Sequence, residues 1–290
     1  MMSSALGKKF LVESLVATIA IGSIITTVNP AQAYRIFTGE DIGLGATDRL
    51  LSTPNSDAAR DDFLNNLITN NIIPESFEDL PLGPSSSFVV EFNDISTDDF
   101  IVGDLSPADP NTGQIAEVTD PTGTDGFGRY PITGENFYRG LSEFTIDDFE
   151  YFDGSSSRNE VAALGFYTTD IGDFDSNLVV TLRNEANEVI EIFELSNNTG
   201  SNTVESGGAR FFGIIAEEGE GDQLFTSVTI TDEIGSFDVF GLDNLIVATP
   251  TQVNLQPGPT PVPEPASMLG LLAMGVFGVH SMNKRKSTHP

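Results

Sequence analysis

The sequence predicts an all-β protein. The expected architecture is an antiparallel β-sandwich of jelly-roll type with one short N-terminal helix, plus an N-terminal signal helix and a C-terminal membrane helix. Three observations lead there. Short apolar, β-branched and aromatic runs recur from Phe77 to Ala248, separated by Gly, Asn, Asp and Ser turns. Several runs alternate with period two, as in Leu224–Thr231, where Leu224, Thr226, Val228 and Ile230 take one face. Cysteine is absent while 21 Phe are present, so the core must come from side-chain packing and not from disulfides.

Residues 1–33 read as an export signal. Lys8 and Lys9 form a positive start, Phe10 to Val28 is largely apolar, and Ala31 and Ala33 place small residues at the −3 and −1 positions of a cleavage site. The segment 34–75 carries the short helix. Asn55 or Ser56 can cap it, and Asp57, Asp61 and Asp62 suit its positive end. Ala58, Phe63, Leu64 and Leu67 fall at helical spacing, so the helix is expected to end near Asn70 and lay one face on a sheet.

Residues 76–250 form the expected sandwich. Its strands are predicted at Ser87–Asn93, Phe144–Phe152, Val161–Tyr167, Asn177–Arg183, Glu188–Leu195, Ala209–Ala216, Leu224–Thr231 and Ser236–Ala248. Asn184 to Asn187 reads as a hairpin turn, and Asp104 to Gly128 as a long loop or irregular insertion. A Pro-rich linker at 251–261 follows. The segment 262–286 then brings Val262-Pro263-Glu264-Pro265, an apolar run from Ala266 to Val279 and the basic cluster Lys284-Arg285-Lys286. That run is short against the roughly 17–25 residues of a spanning helix. Its basic C-terminal flank fits a cytoplasmic stop.

This three-part tail resembles the PEP-CTERM sorting signal of Gram-negative bacteria. The matching residues are Pro263, Glu264 and Pro265, the helix from Ala266 to about Met282, and Lys284, Arg285 and Lys286. The resemblance implies processing by an exosortase, a membrane transpeptidase-like enzyme, with the chain held in the membrane by its C-terminal helix beforehand. It also implies a cell-surface or extracellular-matrix protein of an exopolysaccharide-producing bacterium, with matrix polysaccharide as partner. The body resembles a galactose-binding-like or lectin-like sandwich that recurs among PEP-CTERM proteins. The stretches that carry this are SFEDLPLG (76–83), VAALGFYTTDIGDF (161–174), ARFFGIIAE (209–217) and FGLDNLIVA (240–248). No catalytic set comes with that resemblance, so no functional residue is transferred.

Charge and composition exclude most chemistries. The net charge is −30, and the body from Tyr34 to Val262 holds eight Arg, no Lys, no His and 41 acidic residues, a balance near −33. Such a surface repels phosphate backbones, so no nucleic-acid partner is expected. Without His, Cys or Lys, the body has no parts for a Ser-His-Asp or Cys-His nucleophile, a Schiff base or a His-ligated zinc. The Gly219-Glu220-Gly221-Asp222 turn lacks the lysine of a phosphate loop.

Two carboxylate chemistries survive. Paired acids of a glycosidase can be sought at Glu143, Asp147, Asp148 and Glu150, where Glu143 and Asp147 share a face unless a bulge intervenes. There is no Trp platform for a sugar; Tyr130, Tyr138, Tyr151 and Tyr167 are the substitutes in part, with ordinary core or surface positions as the favoured reading. The other chemistry is calcium. Asp170, Asp173, Asp175 and Asn177 supply oxygens, and Asp173, Asp175 and Asn177 copy the first three EF-hand ligand positions. The EF-hand pattern then fails, with Leu178 in place of Gly and Asn184 in place of Glu. A calcium loop of other geometry and an ordinary Asp/Asn/Gly turn both remain open. Asp243-Asn244 is a weaker calcium candidate, with an Asp that faces water or caps a neighbouring backbone N–H as the plainer reading. The expectation is a non-enzymatic exported surface or matrix protein without a fixed cofactor. The alternatives are a carbohydrate- or calcium-binding module and, less favoured, a glycan-active hydrolase.

Overall fold

A computed structural model describes residues 34–68, 72–94, 100–109, 112–141, 143–152, 157–171, 178–195, 207–217, 223–232 and 239–254. Ala31, Ala33 and the whole sorting tail lie outside them, as do both flanking helices. In chain order the elements are β1 (Tyr34–Asp41), α1 (Pro54–Leu64), β2 (Ile72–Ile73), β3 (Gly83–Pro84), β4 (Phe88–Asp94), β5 (Phe100–Pro107), β6 (Gly113–Glu117) and β7 (Asn136–Leu141). They continue as β8 (Glu143–Phe152), β9 (Ser157–Arg158), β10 (Ala163–Thr169), β11 (Leu178–Arg183), β12 (Val189–Leu195), β13 (Ala209–Ala216), β14 (Ser227–Asp232) and β15 (Val239–Ala248).

The strands build two antiparallel sheets in a sandwich-like arrangement. The first runs β1-β13-β10-β15-β7-β6-β3, and the second β12-β11-β14-β8-β5-β4-β2 with β9 beside β8. In the second sheet alternation decides the faces: Leu178, Val180 and Leu182 point inward, while Val179, Thr181 and Arg183 are half-exposed. The first sheet has no such alternation at its centre. Every residue of β10 and β13 is buried, and so is nearly all of β15.

The cause is a cover on each face. Toward the second sheet, Phe212 meets Phe166 at 5.6 Å and Phe193 of β12 at 5.7 Å between ring centroids. On the other face lies α1, whose Phe63 sits edge-on to Phe37 at 5.6 Å and tilted on Phe211 at 5.7 Å. The seat for Phe63 is made of glycine. Gly213 is paired with Phe37 on one side and Gly165 on the other. A Cβ at Gly213 would come 2.7 Å from Cδ2 of Phe63, closer than any real packing allows. Aromatic mass on the helix therefore requires missing side chains on two adjacent strands.

The helix differs from its sequence expectation at both ends. Its first N–H groups are not capped from within. The Asp41 carboxylate, at the end of β1, accepts from Asn55 N at 3.1 Å and Ser56 N at 2.9 Å. It stops at Leu64 because the next residues are drawn into pairing with the end of the body: Leu67 bridges to Val253, and Ile68 N donates to Gln252 O. Segment 34–75 thus contributes β1 as well as α1. The expected loop at 104–128 contains the end of β5 and all of β6. Both were hidden by glycines and acidic residues that dilute the strand pattern.

Substituting Gly213 by Ala should cost about 1–3 kcal/mol through overpacking against Phe63. For a body of this size that lowers the thermal midpoint by about 2–4 °C per kcal/mol. Calorimetry of the full-length chain and the variant checks it, and an unchanged midpoint would contradict the glycine seat.

Candidate functional site

The outer face of the second sheet forms a concave, predominantly polar surface. Its floor comes from β5 and β8. Asp104 pairs with Asp147, but Val102 pairs with Glu150, so β8 carries extra residues at this point. The extra residue is Asp148, whose φ of 50° lies in the left-handed region. Upstream, β8 pairs regularly with β14, so Glu143, Thr145 and Asp147 share the outward face. At the bulge Asp148 turns outward too, and Phe149 resumes the core. Asp104, Asp147, Asp148 and Glu150 are thereby gathered on one surface.

The β11–β12 hairpin, with Asn184, Glu185 and Asn187, walls the other side and closes an open trough of about 1070 Å³. The expected turn is present: Asn187 N donates to Asn184 O at 2.8 Å. Crowding acts on the floor. Partial burial, then Asp148, then Asp104 push the Asp147 carboxyl above its ordinary range. Beside the trough a row of hydroxyls crosses four strands. Ser106 pairs with Thr145, Thr145 with Thr229 and Thr229 with Thr181. Thr145 and Thr229 are joined by a 3.3 Å hydrogen bond.

The other sequence candidates fall elsewhere. Tyr130, Tyr138, Tyr151 and Tyr167 are all buried and offer no sugar platform. Asp170 is buried at φ 65°, and its Oδ1 accepts from Gly207 N at 3.1 Å. Asp173, Asp175 and Asn177 lie outside the described residues. Among the described residues no three acidic or His side chains converge as a metal-ion site, and no helix is long and apolar enough to cross a membrane.

Asp243 takes the plainer of its two roles. A register shift in β15 opposite Phe166 turns it inward, 1 % exposed. Oδ2 accepts from Ile132 N at 2.6 Å and Thr133 N at 2.9 Å, and Oδ1 from Asn244 N at 2.7 Å. Glu78 holds the same loop one step on, accepting from Glu135 N and Asn136 N at 2.8 Å each. Burial pushes the Asp243 carboxyl up to about 8, against the three N–H donors that favour its charge.

That shift fixes the sign of a pH effect. Between the ordinary Asp value of 3.8 and about 8 the folded state keeps a proton that the unfolded chain releases. The contribution of Asp243 is therefore full below about 4 and is lost as pH rises through 8. Denaturant unfolding of the full-length chain from pH 5 to 9 should show stability falling with pH. The slope should be shallower in Asp243→Asn, and equal slopes would contradict the assignment.

Sequence and structure comparisons add a further layer. The model described as the PEP-CTERM protein-sorting motif matches residues 261–286. No curated protein matches the chain in sequence. Among solved structures, the K2 cleaved adhesin domain of Lys-gingipain is similar at TM-score 0.36 and 10 % identity, over 62 % of this chain and 99 % of that one. The K1 cleaved adhesin domain of Lys-gingipain from Porphyromonas gingivalis W83 reaches 0.33 at 9 % identity, over 61 % and 98 %. The enzymatically active domain of bacteriophage CBA120 tailspike protein 4 reaches 0.22 at 9 %, over 60 % of this chain and 20 % of that one. The matched segment contains Pro263, Glu264, Pro265 and Lys284 to Lys286, the residues from which the sequence resemblance was read. The chain carries a PEP-CTERM sorting motif, which marks it as an exported protein of the cell envelope and an exosortase substrate.

Proposed function

We propose that the exported body is a non-enzymatic component of the cell surface or extracellular matrix that holds an exopolysaccharide chain on the outer face of its second sheet. The observation that carries this reading is the carboxylate trough with its bordering hydroxyl row. Sugar hydroxyls donate to carboxylate and amide oxygens, and Thr hydroxyls both donate and accept. Successive strands stand about 4.8 Å apart, so the row offers one hydroxyl per strand to a chain lying across the sheet. The sorting motif supports the location, since it delivers the body outside the cytoplasm where such polymers accumulate. A binding role also fits the openness of the trough: the carboxylates line a floor and do not face one another across a closed cleft around a scissile bond.

The test is cosedimentation of the full-length chain, in detergent, with polysaccharide isolated from the host matrix. Asp147→Asn with Asp148→Asn, and separately Thr229→Val, should weaken retention about tenfold, the scale of one or two lost hydrogen bonds to charged or hydroxyl groups. Retention equal to the parent in both variants would overturn the trough reading. Release of reducing ends by the parent, lost in the Asp147 variant, would overturn the non-enzymatic one.

A further inference from the structure

A second groove, on the helix-bearing side of the sandwich, differs from the trough in carrying arginines, two of them beside two aspartates, where the trough is lined, among the described residues, by acids without a cation. Cations are scarce in the body, and four of its eight arginines are committed to ion pairs: Arg35 to Glu217, Arg129 and Arg139 to Asp125, and Arg210 to Glu40. Arg49 and Arg60 form no ion pair among the described residues, and both line one groove of about 670 Å³. Arg49 is held in place before any ligand arrives. Its Nη2 donates to Ile132 O at 3.1 Å, and its guanidinium stacks 5.3 Å above the Tyr130 ring. Ile132 is itself fixed through its N–H by buried Asp243. The Nε of Arg60 is buried with no partner.

Two carboxylates, Asp57 and Asp61, share the groove with the two arginines. Asp57 Oδ1 already receives Tyr167 Oη at 2.7 Å and Thr53 Oγ1 at 3.0 Å, and Asp61 is exposed to solvent. The first helical N–H groups are taken by Asp41, so the helix end adds nothing here. What the groove offers a ligand is the remaining donors of two guanidinium groups, Arg60 being also bonded to the Tyr167 hydroxyl, together with the Ser52 hydroxyl and the side chain of Leu51, which is 82 % exposed.

We propose that this groove binds a carboxylate-bearing sugar unit, a uronate. Its carboxylate lies against Arg49 and Arg60, its ring edge on Leu51 and its hydroxyls toward Ser52. Guanidinium–carboxylate pairing supplies both charge and planar geometry. The trough cannot take such a unit, because Asp104, Asp147, Asp148, Glu150 and Glu185 would repel it. The two sites therefore divide acidic from neutral sugars, and the groove stands whether or not the trough binds polysaccharide.

The test is calorimetric titration of the full-length chain with sodium glucuronate, glucose and sodium acetate at constant ionic strength. Glucuronate should bind at least about tenfold more tightly than either of the others, and Arg60→Gln should weaken it by at least about tenfold. Arg49→Lys keeps the charge and loses the planar fork, so it should fall between. Equal affinity for glucose would overturn the proposal in favour of a neutral polyol site, and equal affinity for acetate would overturn the sugar assignment. Parent-like glucuronate binding in both arginine variants, each with an unshifted thermal midpoint, would remove the groove altogether.

Discussion

Covering both faces of the central strands β10, β13 and β15 is the constraint on which the rest of the molecule depends. With no disulfide available, stability has to come from burial, and a sheet buried on one side only would expose the aromatic face around Phe211 and Tyr167. The helix meets that need, and glycines let it approach. Gly39, paired with Phe211, faces the helix start, where a Cβ would clash with the Asn55 carbonyl. Three layers follow from one seat for Phe63. The groove at the helix side exists because α1 must lie there, and the trough lies on the sheet face that no described element covers.

Acidity, at first an argument about excluded partners, also has an internal use. In a body with 41 carboxylates and few cations, acids become the acceptors that satisfy backbone N–H groups where chains leave the sheets. Asp41 does this for the helix, Asp243 and Glu78 for the loop before β7, and Glu75 for Phe77 N at 2.6 Å and Glu91 N at 3.2 Å. Burial weakens the arrangement for some of them. The Glu75 carboxyl is pushed upward chiefly by desolvation, in the same direction as Asp243. Each such group binds its loop through hydrogen bonds and makes that loop sensitive to the charge it carries.

The sequence made some of this legible and not the rest, for identifiable reasons. Strands with clean alternation, such as β11 and β14, are visible because one face is wet. β13 is equally visible as a continuous apolar run bounded by Gly208 and Glu217. β1, β5, β6 and β7 are harder. YRIFTGED and NFYRGL mix charges and glycine into half-covered or edge strands, and what rescues them is pairing with distant partners. Of the site, the cluster from Glu143 to Glu150 is legible as composition. Its geometry is not, because it turns on a single bulge. That Arg49 and Arg60 line one groove is invisible, since one belongs to a loop and the other to a helix. Asp243 is half legible: the sequence shows an acid that faces water or caps an N–H, and the register shift in β15 decides for the N–H donors.

The bulge at Asp148 links these levels. A regular β8 would send Asp148 inward beside Phe144 and Ile146, an ionised group in an aromatic core, at a cost of several kcal/mol. Placing one residue at φ 50° costs on the order of 1–3 kcal/mol and turns that group to solvent. It also brings Phe149 back into phase with the core, where it packs against the space left by Gly103. Two adjacent acids then share one face, which ordinary strand periodicity forbids, and their mutual repulsion holds the Asp147 proton more tightly. Strain, core phase and surface charge are thus three consequences of one residue. The trough is the place where the demands of the core spill onto the outer surface, and there the extra acid becomes available to a ligand.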